Sequence, residues 1–331
     1  MSTKPVVVYG ASGYTGRLVC EYLRELNVPF TAAGRDKDRI QAVMEKIPGI
    51  ETADYDIAEV EHDVASLTDL FQGSQVVSNM AGPFIKFGGD AVEAALAAGC
   101  HYLDTTGEQD WLMESKSRWG KAFADKGLLL APSIAQMYTT GEIAANICLE
   151  TPGLDTLDIL VLWKGFPTYA SMQTIFTILK ADHFYLEQNQ YKQWAPTSTF
   201  EVAVPGQHSI ALALPWGGTS HPVWFKDDPR VADVAGTVQA SMPPRENPRL
   251  NTSLDSVYAS GPLGRAHCVI HGNCNYKQSG LLQAYSAYSL LQQAPKRVGF
   301  ASGCQAFGHR ELLGILRSFG LVLEPELTVR N

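Results

Sequence analysis

Charge is scarce in this sequence. Charged residues make up 18% of the chain, no long basic run occurs, and the formal net charge is −8. Such a surface argues against nucleic acid as the main partner. No apolar run approaches the length of a membrane span. The N-terminus lacks the basic and apolar regions of a signal peptide. The six cysteines, Cys20, Cys100, Cys148, Cys268, Cys274 and Cys304, are scattered without a C-x-x-C spacing, which suggests reduced thiols and a cytoplasmic protein. There is no internal repeat. With 45% hydrophobic residues in 331, the chain reads as globular and comfortable for two domains.

What is present begins at Pro5. Val6 to Tyr9 form an apolar run with no polar face, as expected of a buried parallel strand. Gly10, Gly13 and Gly16 follow in a G-x-x-G-x-x-G spacing, and Leu18, Val19, Tyr22, Leu23 and Leu26 then mark one face of a helix. Strand, glycine turn and helix together make a phosphate site. Glycines let the backbone approach an anion, and the N–H groups and positive dipole end of the helix meet its charge. The pattern predicts a dinucleotide site.

The next strand, Phe30–Ala33, ends at Gly34-Arg35-Asp36. About 20 residues past the glycine turn, such a strand meets the adenosine ribose. An acid there suits the 2′-hydroxyl of NAD, and an arginine suits the 2′-phosphate of NADP. Arg35 favours NADP(H) over NAD(H), with Asp36 read as the cap of the following helix. A strand is expected near Ile50, then a short helix Leu67–Phe71 capped by Ser66, and a strand Gln75–Met80 running into Ala81-Gly82-Pro83-Phe84. Asp90 is expected to open an alanine-rich helix ending at Gly99, followed by the strand His101–Asp104. Thr105-Thr106-Gly107-Glu108 comes next, then a helix from Asp110 to Lys126 and a sixth strand, Leu128–Ala131. Alternation throughout implies a doubly wound parallel sheet. Cofactor contacts are expected at Gly10, Ser12, Gly13, Tyr14, Thr15, Gly16 and Arg35. Further contacts are expected from Asn79, Ala81, Gly82 and Pro83 after the fourth strand, and Asp104, Thr106, Gly107 and Glu108 after the fifth.

Four motifs, Gly10-Ala-Ser-Gly-Tyr-Thr-Gly16, Ala33-Gly-Arg35, Asn79-x-Ala-Gly-Pro-Phe84 and His101-Tyr-x-Asp-x-Thr-Gly-Glu108, resemble those of the saccharopine dehydrogenase-like oxidoreductases in order and spacing. The resemblance covers roughly the first 130 residues. It implies an NAD(P) domain of Rossmann type (1–132) and a second α+β domain on a mixed sheet (133–305) that holds substrate and dimerises. A C-terminal helix and tail (306–331) is expected to pack back on the first. After it the chain departs. Where many members carry Gly-Phe-Asp-Ser-Ile-Pro, this chain reads Ala131-Pro-Ser-Ile-Ala-Gln-Met-Tyr138, so the resemblance speaks to the cofactor more than to the substrate.

In the second half, Thr139-x-x-Glu142 has the form of a capping box. Strands are expected at 156–163, 199–204, 208–214 and 266–271, and helices at 171–180, 280–293 and 310–319. A further helix is expected at 232–241 within a loop-rich stretch, 219–251. Four of the six tryptophans fall after residue 160. Trp163, Phe166, Tyr169, Trp194, Trp216, Trp224 and Phe225 suit an uncharged, partly apolar substrate, a core or a subunit interface. His267-Cys268-x-x-His271-x-x-Cys274 offers zinc-type ligands, but strand periodicity splits them between two faces, so no metal is expected. Hydride transfer needs position and a proton from the protein. Neither Tyr-x-x-x-Lys nor Gly-x-Ser-x-Gly occurs. Tyr138 is the first candidate donor, with Tyr169 and Lys164 behind it. The sequence therefore points to an NADPH-dependent reductase acting on a conjugated C=C, C=N or C=O. The alternatives are a saccharopine-type amino-acid dehydrogenase and a non-catalytic NADP-binding regulator.

Overall fold

The computed structural model describes residues 4–195, 197–208, 210–215, 220–241 and 249–330. The chain divides into two compact units. In the first, β1 (Val6–Tyr9), α1 (Tyr14–Glu25), β2 (Phe30–Gly34), α2 (Lys37–Met44), β3 (Tyr55–Glu59), α3 (Val64–Phe71), β4 (Val76–Asn79), α4 (Phe84–Ala98), β5 (His101–Asp104), α5 (Gln109–Asp125) and β6 (Leu129–Ala131) alternate as the sequence pattern requires. All four residues of β1 are buried, and α1 turns Leu18, Val19, Tyr22 and Leu23 inward. Gly99 and Gly127, at φ 77° and 70°, close α4 and α5 in the left-handed conformation that glycine adopts without strain.

Local differences from the sequence reading have identifiable causes. Ile50 sits in a 3₁₀ turn, and the strand comes later, at β3. Its half-buried edge position leaves Tyr-Asp-Ile-Ala-Glu without an apolar run. Asp63, not Ser66, caps α3, accepting from the Ser66 amide at 2.9 Å. Asp90 lies inside α4, which starts six residues earlier behind Pro83. Its Gly88 is tolerated in mid-helix because Trp111 lies where a side chain would go, 2.4 Å from an added Cβ.

The second unit contains α6 (Gln136–Cys148), β7 (Thr156–Lys164), α7 (Tyr169–Ile178), β8 (Phe184–Glu187), β9 (Gln190–Gln193), β10 (Phe200–Ala203), β11 (Ile210–Pro215), α8 (His221–Phe225), β12 (Asp233–Ser241), β13 (Thr252–Gly261) and β14 (Gly264–Asn273). Residues 232–241, expected as helix, form β12, because its nine residues pair in parallel with all of β7. That tertiary pairing outweighs a weak helical period. Thr139 and Glu142 are buried within α6 and do not open it, since the helix starts at Gln136. The chain then continues through α9 (Asn275–Gln292), β15 (Gly299–Phe300), α10 (Gly303–Phe307), α11 (His309–Ser318) and β16 (Glu326–Arg330). Here the division differs from the expected boundaries. Residues 276–308 belong to the first unit, and 309–331 to the second.

The first unit holds a seven-stranded, wholly parallel sheet in the order β15-β6-β5-β4-β1-β2-β3. This is a Rossmann-type sheet whose strand order reverses between β1 and β4, the place where such sheets take their ligands. The second unit is α+β on a mixed sheet, β10-β11-β12-β7-β13-β14-β16, with β8 and β9 to one side. One sheet face carries α6, buried at every residue except Met137. On the other, Leu160, Leu162, Leu254 and Val269 pack with Val204 and Ala213. Among the described residues no helix is long and apolar enough to cross a membrane.

In the first unit α9 lies against α1 at Gly280, where an added Cβ would fall 2.8 Å from the Leu18 Cβ and 3.1 Å from its backbone carbon. Gly280→Ala should push the two helices apart and cost about 1–3 kcal/mol. In urea titration this reads as a lower midpoint at unchanged slope.

Candidate functional site

The glycine turn requires its glycines for backbone reasons. Gly10 has φ +87°, and a Cβ there would meet the Met80 carbonyl carbon at 2.9 Å. At Gly16 it would lie 2.4 Å from the Gly10 carbonyl oxygen and 2.8 Å from the Ala11 Cα. The ends of β1 and β4 thus come together as bare backbone. Gly13 sits at the N-cap of α1, so no side chain caps that helix. Ser12, Gly13, Tyr14 and Thr15 are partly exposed at its mouth. The Tyr14 ring meets Tyr276 edge-on at 5.2 Å, with the Arg17 guanidinium 5.4 Å from its centre.

At the end of β2 the two rival residues separate. Asp36 caps α2 and accepts from the Arg39 amide at 2.9 Å. Arg35 is exposed and makes no hydrogen bond or ion pair among the described residues. Sequence reasoning missed the neighbours. The Tyr9 hydroxyl bonds to Nδ1 of His62 at 2.8 Å, their rings stack at 5.9 Å, and Phe87 meets the His62 ring edge-on at 5.3 Å. Burial raises the pKa of the Tyr9 phenol, and the nearby positive charge of Arg35 opposes the shift. Nothing in the chain marks His62, because it follows a strand with no apolar run.

Past β4 and β5 the predicted residues divide by role. Asn79 and Asp104 are fully buried and bond within the unit. Asp104 gathers the Thr106 amide (2.9 Å), the Ser133 amide (2.9 Å), the Trp111 indole (3.1 Å) and the Tyr102 hydroxyl (3.1 Å). Asn79 donates to the Tyr102 oxygen and accepts from the Ala81 amide, both at 2.9 Å. Gln283 of α9 donates to the carbonyls of Asp104 and Ile134 and accepts from the Ser78 hydroxyl. Burial pushes the Asp104 carboxyl up to about 6, although four donors favour its charged form. The network holds the loops that carry Ala81, Gly82 and Pro83 on one side and Thr106 on the other. Ala81 and Gly82 remain partly exposed, whereas Thr106, Gly107 and Glu108 are buried.

In the second unit, Tyr138 is 5% exposed on the first turn of α6. Its hydroxyl lies against Gly107, where an added Cβ would be 2.1 Å away. The Tyr138 carbonyl accepts from Nε2 of His221 at 2.8 Å, and burial lowers that imidazole to about 4, so it is neutral. Thr140 donates to the Asp255 carboxyl at 2.7 Å, pinning the same turn to β13. The structure does not gather the other two candidates around Tyr138. Tyr169 is 80% exposed at the start of α7, bonded to Gln173, and Lys164 ends β7 on the opposite sheet face. Trp163, Trp224 and Phe225 are core residues, Phe166 is exposed, and Trp216 lies outside the described residues. His267 stacks on Tyr258 at 3.8 Å, while Cys268 is buried. Among the described residues no group of three or more His, Cys, Asp or Glu could hold a metal ion.

Two family models match the chain. Residues 139–237 and 231–331, more than half of it, match DUF5938, a family of unknown function. The chain belongs to DUF5938. Ahead of that region, residues 6–125 match the saccharopine dehydrogenase NADP binding domain. Curated relatives match part of the chain. The lipid droplet localized protein of Caenorhabditis elegans is 32% identical over 154 residues, 44% of this chain and 36% of its own. The human saccharopine dehydrogenase-like oxidoreductase is 30% identical over 142 residues, 39% and 33% of the two chains. The trans-acting enoyl reductase of Mycobacterium ulcerans is 32% identical over 125 residues, 37% and 30%. The aligned stretch spans about a third of the length of each of these relatives.

Within that region Asp255 gives a pH signature. It is fully buried, and burial raises its carboxyl to about 7 against roughly 3.9 in an unfolded chain. The folded state therefore prefers the protonated form, and the stability it contributes is lost as pH rises from about 4 through 7. Asp255→Asn lacks this loss. Its melting temperature relative to wild type should climb between pH 4 and 8, by up to the order of 4 kcal/mol in stability. A flat difference across that range would show that Asp255 does not titrate as described.

Proposed function

We propose that this protein is an NADPH-dependent reductase that transfers hydride to a conjugated C=C, C=N or C=O of a mostly apolar small molecule. The observation that carries the reading is the separation of Arg35 from Asp36. The acid that would suit NAD is committed to a helix cap, and the free guanidinium stands at the strand end that meets the adenosine ribose. The bare backbone at Gly10 and Gly16 fits a pyrophosphate, since any side chain there would collide with main chain. The match of residues 6–125 to an NADP binding domain supports the same cofactor. The enoyl reductase among the relatives supports reduction of a conjugated bond.

In this reading NADPH, when bound, supplies the hydride, and the protein supplies position and a proton. The amides at the start of α1 and the Gly10–Gly16 turn would hold its pyrophosphate, Arg35 would meet its 2′-phosphate, and Tyr9, His62 and Phe87 would take its adenine side. Asn79 and Asp104 act beneath the surface by fixing the loops of Ala81, Gly82 and Thr106. Tyr138 donates the proton to the substrate atom left electron-rich by reduction. His221 and Asp255 hold the turn that carries it, so its hydroxyl stays on the Gly107 backbone. One hydride and one proton together saturate the bond and leave NADP⁺.

The test is a panel of enones, imines, ketones and amino acids followed by NADPH absorbance. At least one apolar conjugated acceptor should be turned over. With that substrate, Tyr138→Phe should lower kcat about 100-fold at unchanged NADPH affinity, the usual size of a lost general acid. Tight NADPH binding with no turnover by any panel member would contradict the reductase reading. Undiminished kcat in Tyr138→Phe, with chemistry rate-limiting, would remove Tyr138 from its role.

A further inference from the structure

The sheet face opposite α6 contains a cavity that the reductase reading does not use. It measures about 480 Å³ and is bounded by the ends of β7, β13 and β14, the turn 205–207 and Leu323. That volume lies within the usual range for small-molecule sites. The strand register dictates its chemistry. Leu162 pairs with Leu254, and Leu254 with His271, so these three form one row on the same face. Ser253 pairs with Trp163, which places Lys164 and Thr252 side by side in the next row. The first row continues into the apolar cluster of Leu160, Val269, Val204 and Ala213. The cavity therefore has an apolar floor at Leu162 and Leu254, with Lys164 and Thr252 at one end and Gln207, His271 and Asn273 also on its rim.

At that end, neither the Lys164 ammonium nor the Thr252 hydroxyl has a hydrogen-bond or ion-pair partner among the described residues, and both residues are only partly exposed. Leaving a half-desolvated ammonium without an anion is unfavourable, whereas a carboxylate would take a charge-assisted hydrogen bond from it and a second bond from the hydroxyl. His271 stands beside them, with the exposed Glu326 carboxylate 3.8 Å from its Nε2 on the far side. One full positive charge suits a monoanion. A phosphate monoester would bring a second charge, and among the described residues that line the cavity no arginine meets it. We propose that this cavity binds an organic carboxylate with an apolar tail, the carboxylate held by Lys164 and Thr252 and the tail lying on Leu162 and Leu254.

All of its residues belong to the second unit, so the site stands independently of the reductase reading. Calorimetric titration of the full chain with octanoate, octan-1-ol and inorganic phosphate tests it, run with and without NADPH. Octanoate should bind saturably at one site, about tenfold more tightly than octan-1-ol, and phosphate should not compete. Lys164→Met keeps the aliphatic stem. It should weaken octanoate about tenfold while leaving octan-1-ol affinity, melting temperature and NADPH affinity unchanged, and Thr252→Val should weaken octanoate by a smaller factor. Equal affinity of octanoate and octan-1-ol would overturn the proposal. So would unchanged octanoate binding in Lys164→Met at an unchanged melting temperature, or no saturable binding below about 10 mM.

Discussion

A buried carboxylate organises the carboxyl edge of the parallel sheet. Asp104 has no access to water, and four donors converge on it from the loop after β5, the loop after β6, α5 and its own strand. Removing one partner from such a network leaves several buried donors unsatisfied, so these segments hold their places together. Through Tyr102 the network reaches Asn79, and through Asn79 the loop after β4. Gln283 reaches the same edge from a helix almost two hundred residues further along the chain, and this explains why residues 276–308 return to the first unit. The loops at this edge are held from below by side chains that never reach the surface.

On that edge the cofactor reading rests on subtraction. At Gly10 and Gly16 the missing side chains let main chain from two strands and a helix converge. At Gly34-Arg35-Asp36 the cap of α2 removes the carboxylate from the ribose position and leaves the guanidinium. Neither feature depends on the identity of a substrate. The second unit answers a different question, since its sequence belongs to a family of unknown function and its sheet offers two faces. One carries α6 with Tyr138, and the other an apolar cavity with a lone ammonium.

The first unit was readable because its signals are local. An apolar run without polar alternation means a buried parallel strand, a glycine triplet means backbone approach, and Asp36 before a helix means a cap. Each of these survives in the structure. Asn79 and Asp104 were visible as residues at strand ends, but their inward aim was not, because it depends on Tyr102 and Trp111 folding over them. β3 was misplaced because edge strands need no apolar run. β12 read as helix because its partner strand is nearly eighty residues earlier, and no local period records that pairing. His62 carried no signal at all. Lys164 was marked as a candidate, yet only the register of β7 against β13 shows which face it shares and with which hydroxyl.

The central claim is that the first unit selects NADPH through Arg35. Fluorescence titration of wild type and Arg35→Ala with NADPH and NADH tests it directly. The account predicts that wild type binds NADPH at least about tenfold more tightly than NADH, and that Arg35→Ala loses most of that preference while NADH affinity stays within about twofold. Equal affinities in wild type, or an equal loss for both cofactors in the variant, would contradict it.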